Sequence, residues 1–344
     1  TIASFRRNVL GTLKQQLAAR GYNVKEHRAE NCMTVSKGGR TNEFYFFGGK
    51  DESSQDLIQG ITLAGAFFDE AALMPQSFVN QATARCSVTG SKFWFNCNPG
   101  SPQHWFYLEW VRKCRSRKMM YLHFTMDDNL SLSEDIKARY CSQYSGVFYQ
   151  RYILGLWTVA EGLVYDMFDR QKHIIDKLPE LSPKSAYVAC DFGTQNATTF
   201  LLFQKQADAD CWIVTREYYY SGREQKRQKT VGEYVTDLKA WLDGLKPERV
   251  IVDPSALPLI TELRKNGFTQ TPANNDVLSG ILDVQTMLQT GRLKIYKDCK
   301  HTLEEFGVYA WDPDKDDTVL KVNDHCMDAI RYFVRTKRLV KLRD

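Results

Sequence analysis

The chain has 344 residues, of which 43% are hydrophobic and 25% are charged, and its formal net charge is +5. These values are typical of a globular protein of about two domains, and they exclude a low-complexity or strongly polyionic chain. The mild positive charge permits a nucleic-acid partner without requiring one, because the position of basic patches matters more than their total.

The number and spacing of the cysteines indicate the cellular compartment of the protein. The nine cysteines are scattered, and no Cys-x-x-Cys pair occurs. This pattern favours reduced thiols in an intracellular protein over a disulfide framework or a zinc site. No apolar run approaches the roughly 18 to 20 residues needed to span a bilayer, and no signal peptide opens the chain. We therefore expect a protein that is neither secreted nor bound to a membrane.

The first half of the chain predicts alternating helices and strands, an order that favours a parallel sheet. The predicted elements are a helix from Phe5 to Arg20 that stops at Gly21, a strand from Thr41 to Phe47, a strand ending at Asp69 and Glu70, a helix from Pro75 to Arg85, a strand from Lys92 to Asn96, and helical sequence from Leu130 to Tyr152.

The second half predicts three consecutive strands followed by mixed helices and strands. The predicted elements are strands Tyr187–Cys190, Thr198–Phe203 and Trp212–Tyr220, a helix Val231–Leu242, a strand Val250–Asp253, a helix Val277–Thr290 and a last helix Asp324–Lys337.

The acid pair Asp69-Glu70 matches a Walker B strand, because it follows the apolar run Ala66-Phe67-Phe68. In such sites the aspartate holds Mg²⁺ through water, and the glutamate polarises the water that attacks ATP. The string alone is a weak signal. It is strengthened by Asn98, which follows the next strand, where a polar residue senses the γ-phosphate and couples hydrolysis to motion.

A Walker A loop does not accompany this pair. No Gly-x-x-x-x-Gly-Lys-Ser/Thr string occurs, and Gly48-Gly49-Lys50-Asp51 fails the pattern because aspartate follows the lysine. A phosphate loop in this sheet belongs before residue 1. We therefore expect the sequence to lack its own amino-terminal part.

Three aspartates in the second half are arranged like the acids of a ribonuclease H-like nuclease. Asp191 ends the first of the three strands, Asp253 ends the strand after the next helix, and Asp328 lies on the last helix. His325 precedes Asp328 by three residues, so a helix places both on one face. A lone aspartate at a strand end is more often a turn former, but three in this order favour a metal site.

Carboxylate oxygens are the ligands that Mg²⁺ and Mn²⁺ prefer, and several acids must converge to hold two such ions. Two ions about 3.5 to 4 Å apart clamp the attacking water and the leaving oxygen of a phosphodiester. We expect Asp191, Asp253 and Asp328 to bind these ions. His325 either positions water, shuttles a proton or reaches a metal.

A basic stretch between a predicted strand and a predicted helix is a candidate DNA contact. Arg223, Lys226, Arg227 and Lys229 lie there, and mobile cations of this kind bind phosphates without sequence preference. A solvated loop is the alternative interpretation of the same charges.

Several stretches together resemble the large subunit of the terminases that package DNA into tailed-bacteriophage heads, in the branch related to prophage PBSX and phage SPP1. The resemblance covers nearly the whole chain and keeps the order and spacing of its motifs. The stretches that carry it are residues 60–71, 96–99, 104–107, 161–165, 252–256 and 324–332.

The resemblance implies an amino-terminal ATPase that drives DNA translocation and a carboxyl-terminal endonuclease that cuts concatemeric double-stranded DNA. ATP hydrolysis with ATP–Mg²⁺ is expected of the complete protein rather than of this chain. Carried over by position, the site residues are Asp69 and Glu70 as the Walker B pair, Asn98 in the coupling motif, and Asp191, Asp253 and Asp328 as nuclease metal ligands beside His325.

The predicted fold class is α/β. A partial P-loop-type ATPase domain without its Walker A region covers residues 1–155, a linker covers 156–183, and a ribonuclease H-like nuclease domain covers 184–344. The implied partners are double-stranded viral DNA, a portal protein, a small terminase subunit and further copies in a ring on the portal. The implied location is the host cytoplasm, and transiently the procapsid portal.

Two alternatives stay open on the sequence alone. The first is another ribonuclease H-like nuclease, of the resolvase or recombinase type, but it leaves Asp69, Glu70 and Asn98 unexplained. The second is a non-catalytic packaging component whose acids bind ions only to stabilise the fold.

Overall fold

The computed structural model describes residues 2–193 and 196–340, and the chain folds into two compact units. Residues up to 99 together with 103–121 form the first unit, and residues 100–102 together with those from 122 onward form the second. Each unit builds its own buried apolar cluster, as expected of a separate domain.

The first unit opens with helical turns that pack on a small antiparallel sheet. Met33 and Val35, two apart on one strand, face Leu10 and Phe46 in a shared core. The predicted first helix is confirmed, and Gly21 ends it at a φ of 76°. The elements are helix α1 (Ile2–Phe5), a π-helical turn (Arg6–Leu10), helix α2 (Gly11–Ala19) and strands β1 (Asn23–His27), β2 (Cys32–Lys37) and β3 (Arg40–Tyr45).

The rest of this unit contains the predicted parallel strands. Their pairing is confirmed between β4 and β5, whereas the sheet formed by β1 to β3 is antiparallel because short turns join its strands. Phe95 stacks on Phe68 and contacts Trp110, which fixes the pair. The elements are a 3₁₀ helix (Glu52–Ile58), strand β4 (Gly65–Phe68), a 3₁₀ turn (Ala71–Leu73), helix α3 (Gln76–Arg85), strand β5 (Lys92–Phe95) and a π-helical turn (Tyr107–Val111).

The second unit is built on a seven-stranded mixed sheet in the described part of the chain, with strand order β11-β10-β7-β8-β9-β12-β6. The elements are a 3₁₀ turn (Met126–Asp128), helices α4 (Glu134–Gln143), α5 (Gly146–Tyr152) and α6 (Arg170–His173), strands β6 (Ile174–Ile175), β7 (Leu181–Asp191), β8 (Ala197–Gln206) and β9 (Trp212–Ser221), helix α7 (Val231–Leu242), strand β10 (Arg249–Val252), helix α8 (Leu257–Lys265), strand β11 (Gln270–Pro272), helix α9 (Val277–Gln289), strand β12 (Leu293–Tyr296), and helices α10 (Lys300–Phe306) and α11 (His325–Thr336).

Strand direction decides which strand ends meet in this sheet. β7, β8 and β9 pair antiparallel, while β10 runs parallel to β7 and β11 runs parallel to β10. On the other flank, β12 runs parallel to β9 and β6 runs parallel to β12. The carboxyl ends of β7 and β10 therefore lie side by side at one edge of the sheet.

Helices cover both faces of this sheet, because alternate residues of its inner strand β7 are apolar on each side. Val188 and Cys190 of β7 pack with α7 and α8, whereas Tyr187 and Ala189 pack with α9 and α11. The result is a three-layer arrangement in which the sheet lies between two layers of helices, typical of α/β proteins.

The helical sequence predicted from Leu130 to Tyr152 forms two helices, α4 and α5, which meet at Tyr144 and Ser145. Both belong to the second unit, since Phe148 lies in its core and Thr286 of α9 donates a hydrogen bond to the carbonyl of Gln143. The sequence places them before residue 155, in the predicted first domain. The functional division at that residue stays a prediction.

The structure also shows the state of the cysteines and the length and polarity of the helices. All nine cysteines are free. Among residues 2–193 and 196–340, every helix is too short or too polar to cross a bilayer.

Candidate functional sites

In the first unit, an asparagine side chain holds the acid pair at the end of β4. The amide nitrogen of Asn96 donates to Oδ1 of Asp69 over 3.0 Å, and its amide oxygen accepts the backbone N–H of Glu70 over 2.7 Å. Glu70 adopts a left-handed backbone with φ 58° and ψ 50°, which turns the chain sharply after the strand. Asn96 thus fixes both acids at the carboxyl edge of this parallel pair.

Asn98 reaches the same acids through its backbone. Its N–H donates to the carboxylate of Glu70, while burial and the charge of Asp69 together raise the pKa of that carboxyl. The Asn98 side chain itself is exposed. The structure therefore brings Asp69, Glu70 and Asn98 together, and the side chain of Asn96 joins Asp69 to Glu70. The role of these residues in ATP hydrolysis stays a prediction.

In the second unit, the parallel pairing of β7 and β10 brings two predicted acids to one edge. Cys190 pairs with Val252, so Asp191 and Asp253, which directly follow them, leave the sheet side by side. Asp328 lies in the first turn of α11, which packs across β7 and β8. These three elements position the three predicted acids on one side of the unit.

His325 is hydrogen-bonded to the first of these acids. Its Nδ1 lies 2.8 Å from Oδ2 of Asp191. Burial raises the pKa of Asp191 and the nearby charge of Asp328 adds to it, although the hydrogen bond from His325 acts in the opposite direction. Burial disfavours the charged imidazole, but the hydrogen bond and charge of Asp191 outweigh this and raise the pKa of His325. The histidine and the aspartate therefore share a proton-sensitive contact.

Asp253 is held as a charged carboxylate by polar neighbours. Its Oδ1 accepts the backbone N–H of Ser255 over 2.8 Å, and its Oδ2 accepts the side-chain amide of Asn275 over 3.2 Å. Burial opposes the charge, but these hydrogen bonds and one from Tyr332 lower the pKa of Asp253 below its usual value. Asp253 and Asp191 are thus neighbours whose pKa values are shifted in opposite directions.

Two cations neutralise Asp328. Arg331 donates to Oδ1 over 2.8 Å, and Lys321 donates to Oδ2 over 3.0 Å. Lys321 also forms an ion pair with Asp324, 2.9 Å from its Oδ2. Arg331 donates its other terminal nitrogen to the carbonyl of Asn275, so the loop that holds Asp253 and the helix that carries Asp328 share one arginine.

A buried glutamate fixes the start of α11. Oε2 of Glu305 accepts the backbone N–H groups of Cys326 and Met327, over 2.7 and 3.1 Å. Such a carboxylate accepts hydrogen bonds from the backbone N–H groups that have no partner within the helix at its N-terminus. Glu305 therefore orients the helical turn from which His325 and Asp328 project.

The donor chemistry of this acid cluster suits a hard divalent cation. Aspartate oxygens are the preferred ligands of Mg²⁺ and Mn²⁺, and Asp191 and Asp253 lie at neighbouring strand ends with Asp328 on the first turn of α11. In residues 2–193 and 196–340, no three His, Cys, Asp or Glu side chains converge in the arrangement of a metal site. The assignment of Asp191, Asp253 and Asp328 as metal ligands therefore stays a prediction.

The predicted basic stretch forms a loop between β9 and α7. Its Arg223 and Lys226 are exposed. Arg227 instead pairs with Glu233, and Lys229 pairs with Asp237 while it lies 4.0 Å from the centre of the Tyr220 ring. Half of the predicted DNA contacts are therefore tied to α7, and the other half project into solvent.

Several residues of the acid cluster had no predicted role. Arg331 and Tyr332 fall within residues 324–332, the last stretch that carries the family resemblance, but the spacing of the sequence does not predict their contacts with Asp328 and Asp253. The other contributors, Asn275, Glu305 and Lys321, lie outside every motif.

Comparisons with known proteins place the chain among phage terminases. The family profile "Terminase large subunit, T4likevirus-type, N-terminal" matches residues 13–172. The large terminase of Escherichia phage T5 is 24% identical over 192 residues, covering 52% of this chain and 42% of that protein. The large terminase of Salmonella phage P22 is 22% identical over 302 residues, covering 83% and 57%. The chain thus spans about half the length of these curated relatives.

Solved structures give a nearer match. A large terminase from a thermophilic bacteriophage is 52% identical, with a TM-score of 0.88, and the match covers 98% of this chain and 84% of that one. The same terminase in complex with ATP-gamma-S is matched with a TM-score of 0.83 at 50% identity, covering 97% and 83%. Identity and coverage at this level extend through both units, and the chain therefore belongs to the family of large terminase subunits of tailed bacteriophages.

Proposed function

We propose that the second unit is a metal-dependent DNA endonuclease with a ribonuclease H-like topology. Its strands β7, β8 and β9 are antiparallel, and β10 and β11 continue the sheet beside β7, so that the order from β9 to β11 is 3-2-1-4-5 in chain order. The observation that carries the proposal is the placement of Asp191 and Asp253 at the carboxyl ends of the neighbouring strands β7 and β10, with His325 hydrogen-bonded to Asp191.

In this proposal, Asp191, Asp253 and Asp328 hold two divalent ions, Mg²⁺ or Mn²⁺. Bound ions of this kind activate water and stabilise the leaving oxygen of a phosphodiester. Asp253, kept charged by Ser255 and Asn275, supplies a carboxylate ready to bind. The Nδ1 of His325 is committed to Asp191, which leaves its Nε2 to accept or donate a proton at the substrate.

The first unit supports the wider proposal of a packaging motor. Asn96 holds Asp69 and Glu70 at the end of a parallel strand, where a Walker B pair serves ATP–Mg²⁺, and the backbone of Asn98 contacts the same glutamate. The thermophilic-phage terminase that the chain resembles binds ATP-gamma-S. In this motor, Asp69 holds ATP–Mg²⁺ through water, Glu70 polarises the attacking water, and Asn98 couples hydrolysis to DNA translocation.

The proposed partners follow from this role. Double-stranded viral DNA is the substrate, and the portal protein, the small terminase subunit and further copies of the chain assemble at the procapsid. The relation to the PBSX and SPP1 branch belongs to the same proposal. A resolvase-type nuclease is disfavoured, because it gives no role to the acids that Asn96 holds.

The test is cleavage of supercoiled plasmid by the purified chain with Mn²⁺, Mg²⁺ or EDTA. We expect metal-dependent cutting that falls by about a hundredfold or more in Asp191→Asn, since metal catalysis is worth several kcal/mol. Asp208→Ala is the matched control, because this exposed residue lies in the turn between β8 and β9, at the opposite edge of the sheet from Asp191. Absence of cleavage with either ion, in a folded protein, would favour a non-catalytic packaging component.

A further inference from the structure

One side chain of the acid cluster is anchored only at its charged end. The Nζ of Lys321 contacts Asp328 over 3.0 Å and Asp324 over 2.9 Å, and it reaches them from the segment that precedes α11. Its side chain is nevertheless 59% exposed, while those of Asp324 and Asp328 are 7% and 9% exposed. A solvated stem thus carries one ammonium group into a nearly buried pair of carboxylates.

The second cation on Asp328 is held in a different way. Arg331 is 2% exposed, and its guanidinium is fixed between Oδ1 of Asp328 and the carbonyl of Asn275. Its stem also packs against Gly280 of α9. Arg331 cannot leave without disrupting the core, whereas Lys321 can swing into solvent. One oxygen of Asp328 therefore has a permanent partner and the other has a removable one.

We propose that Lys321 is a displaceable counter-cation, which neutralises Asp324 and Asp328 in the metal-free protein and gives way when a divalent ion binds. The inference rests on the proposed function, because it requires Asp328 to be a metal ligand. In that state Oδ2 of Asp328 exchanges the ammonium of Lys321 for the ion. Lys321 thereby lowers the apparent affinity of the site for metal.

The physical chemistry of lysine suits this role. The lysine partner of this ion pair is exposed, so a divalent ion, which carries twice the charge of the ammonium group, can replace it without disturbing the core. An ammonium group is a compact, strongly hydrated point charge, which recovers its hydration when it leaves. Without such a cation, the carboxylates of Asp324 and Asp328, which both contact Lys321, would repel each other across a short distance.

The test is Mn²⁺ binding, followed by the free-ion signal in electron paramagnetic resonance, to the wild-type chain and to Lys321→Ala. We expect about tenfold tighter binding in Lys321→Ala, because the ion no longer competes with a bound cation. Lys321→Arg keeps the charge and should stay within about twofold of wild type. Lys315→Ala is the matched control, since Lys315 lies nearby in the chain but pairs with Asp312 instead.

A second measurement uses the wild-type chain and does not depend on the folding of Lys321→Ala. Lysines are labelled by reductive ¹³C-methylation, and the NMR signal of Lys321 is assigned as the one that is absent from the spectrum of Lys321→Arg. When Mg²⁺ is added to the wild-type chain, this signal should move towards the position of a solvated lysine. Any other lysine, such as Lys315, should keep its signal.

Failure of this inference is distinguishable from failure of the proposed function. If Asp191→Asn loses Mn²⁺ binding but Lys321→Ala binds no more tightly than wild type, the nuclease site stands and the role of Lys321 is refuted. An unmoved Lys321 signal at saturating Mg²⁺ refutes it as well. If neither the wild-type chain nor Lys321→Ala binds Mn²⁺, the proposed metal site and this inference both fall.

Discussion

Single residues around the acid cluster combine structural and electrostatic roles, and Glu305 is the clearest case. It caps α11 through two backbone N–H groups, yet its side chain is almost wholly buried. Burial raises the pKa of Glu305 from 4.5 to about 7, although the hydrogen bonds from Met327 and Cys326 oppose the shift. The residue that orients the turn carrying His325 and Asp328 therefore bears its charge at a cost in stability.

The pH dependence of stability should reveal this cost. The folded chain binds the Glu305 proton more tightly than the unfolded chain does, so stability falls as the pH rises from 4.5 to about 7. The loss contributed by Glu305 is about 3 kcal/mol over that interval. Glu305→Gln cannot lose this proton and keeps an acceptor for the cap, so we expect its free energy of unfolding to decline less between these pH values.

Urea unfolding at pH 4.5, 5.5, 7 and 8 measures the effect. Glu304→Gln is the control, because this neighbour on α10 is exposed and should follow the wild-type curve. Curves for Glu305→Gln and wild type that run parallel across the whole range would show that the Glu305 carboxylate is not destabilised by burial.

At the scale of elements, the packing of α9 against α11 controls where Arg331 points. Gly280 of α9 faces the stem of Arg331, and a Cβ at position 280 would lie 2.8 Å from its Cδ and closer still to its Cγ. Gly280 thus leaves room for the arginine that joins Asp328 to the Asn275 loop.

Gly280→Ala should therefore destabilise the chain, although alanine is favoured over glycine in a helix by about 1 kcal/mol. Overpacking of a buried site costs about 1 to 3 kcal/mol, so after the gain in helix propensity we expect a net loss of up to about 2 kcal/mol in urea or thermal unfolding. Gly232→Ala in α7 is the control, because a Cβ there meets no atom within 4 Å and the helix propensity alone should act. A Gly280→Ala protein as stable as Gly232→Ala would contradict the assigned contact.

The same elements show what a sequence can predict. Strands β7 and β10 were predicted because apolar runs end at Asp191 and Asp253, and α11 because its apolar positions recur at helical spacing. Strand β11 is only three residues long and ends at a proline, and α8 starts without a side-chain cap, so local signals were too weak for either element. These elements form through packing against the sheet.

The residues of the acid cluster also fall into two groups, those that local sequence signals predicted and those that they did not. Its proposed metal-binding acids were found because each lies at the end of a strand or on a patterned helix. Asn275 and Glu305 act across 22 and 21 residues of sequence on Asp253 and Cys326, and such contacts exist only once the chain has folded. Lys321 was missed because a lysine in a loop ordinarily indicates a solvated surface.

At the scale of the whole chain, a net charge of +5 does little to predict DNA binding, whereas the distribution of charge over the second unit predicts where DNA would bind. Ser221 at the end of β9 pairs with Ala197 of β8, and β8 pairs Thr199 with Asp191. The loop that follows Ser221 therefore leaves the sheet at the edge where the acids lie. DNA bound to this loop would pass the proposed site of cleavage.

Arg223 and Lys226 are the cations of this loop that project into solvent, whereas Arg227 and Lys229 pair with acids of α7. Arg223→Ala/Lys226→Ala should therefore weaken binding of a short DNA duplex in EDTA, measured by fluorescence anisotropy over a range of salt concentrations. Each lost phosphate contact lowers the salt slope by about 0.9, so the double variant should lose nearly two units of slope.

Lys184→Ala/Lys246→Ala provides the charge-matched control, since these exposed lysines lie at the amino ends of β7 and β10, the sheet edge opposite the acids. If location governs binding, this control keeps the wild-type slope. If total charge governs it, both double variants lose affinity equally, and the loop has no special part in holding DNA. A loss of DNA affinity confined to Arg223→Ala/Lys226→Ala would indicate that the bound duplex runs past Asp191, because the loop and the acids lie at the same edge of the sheet.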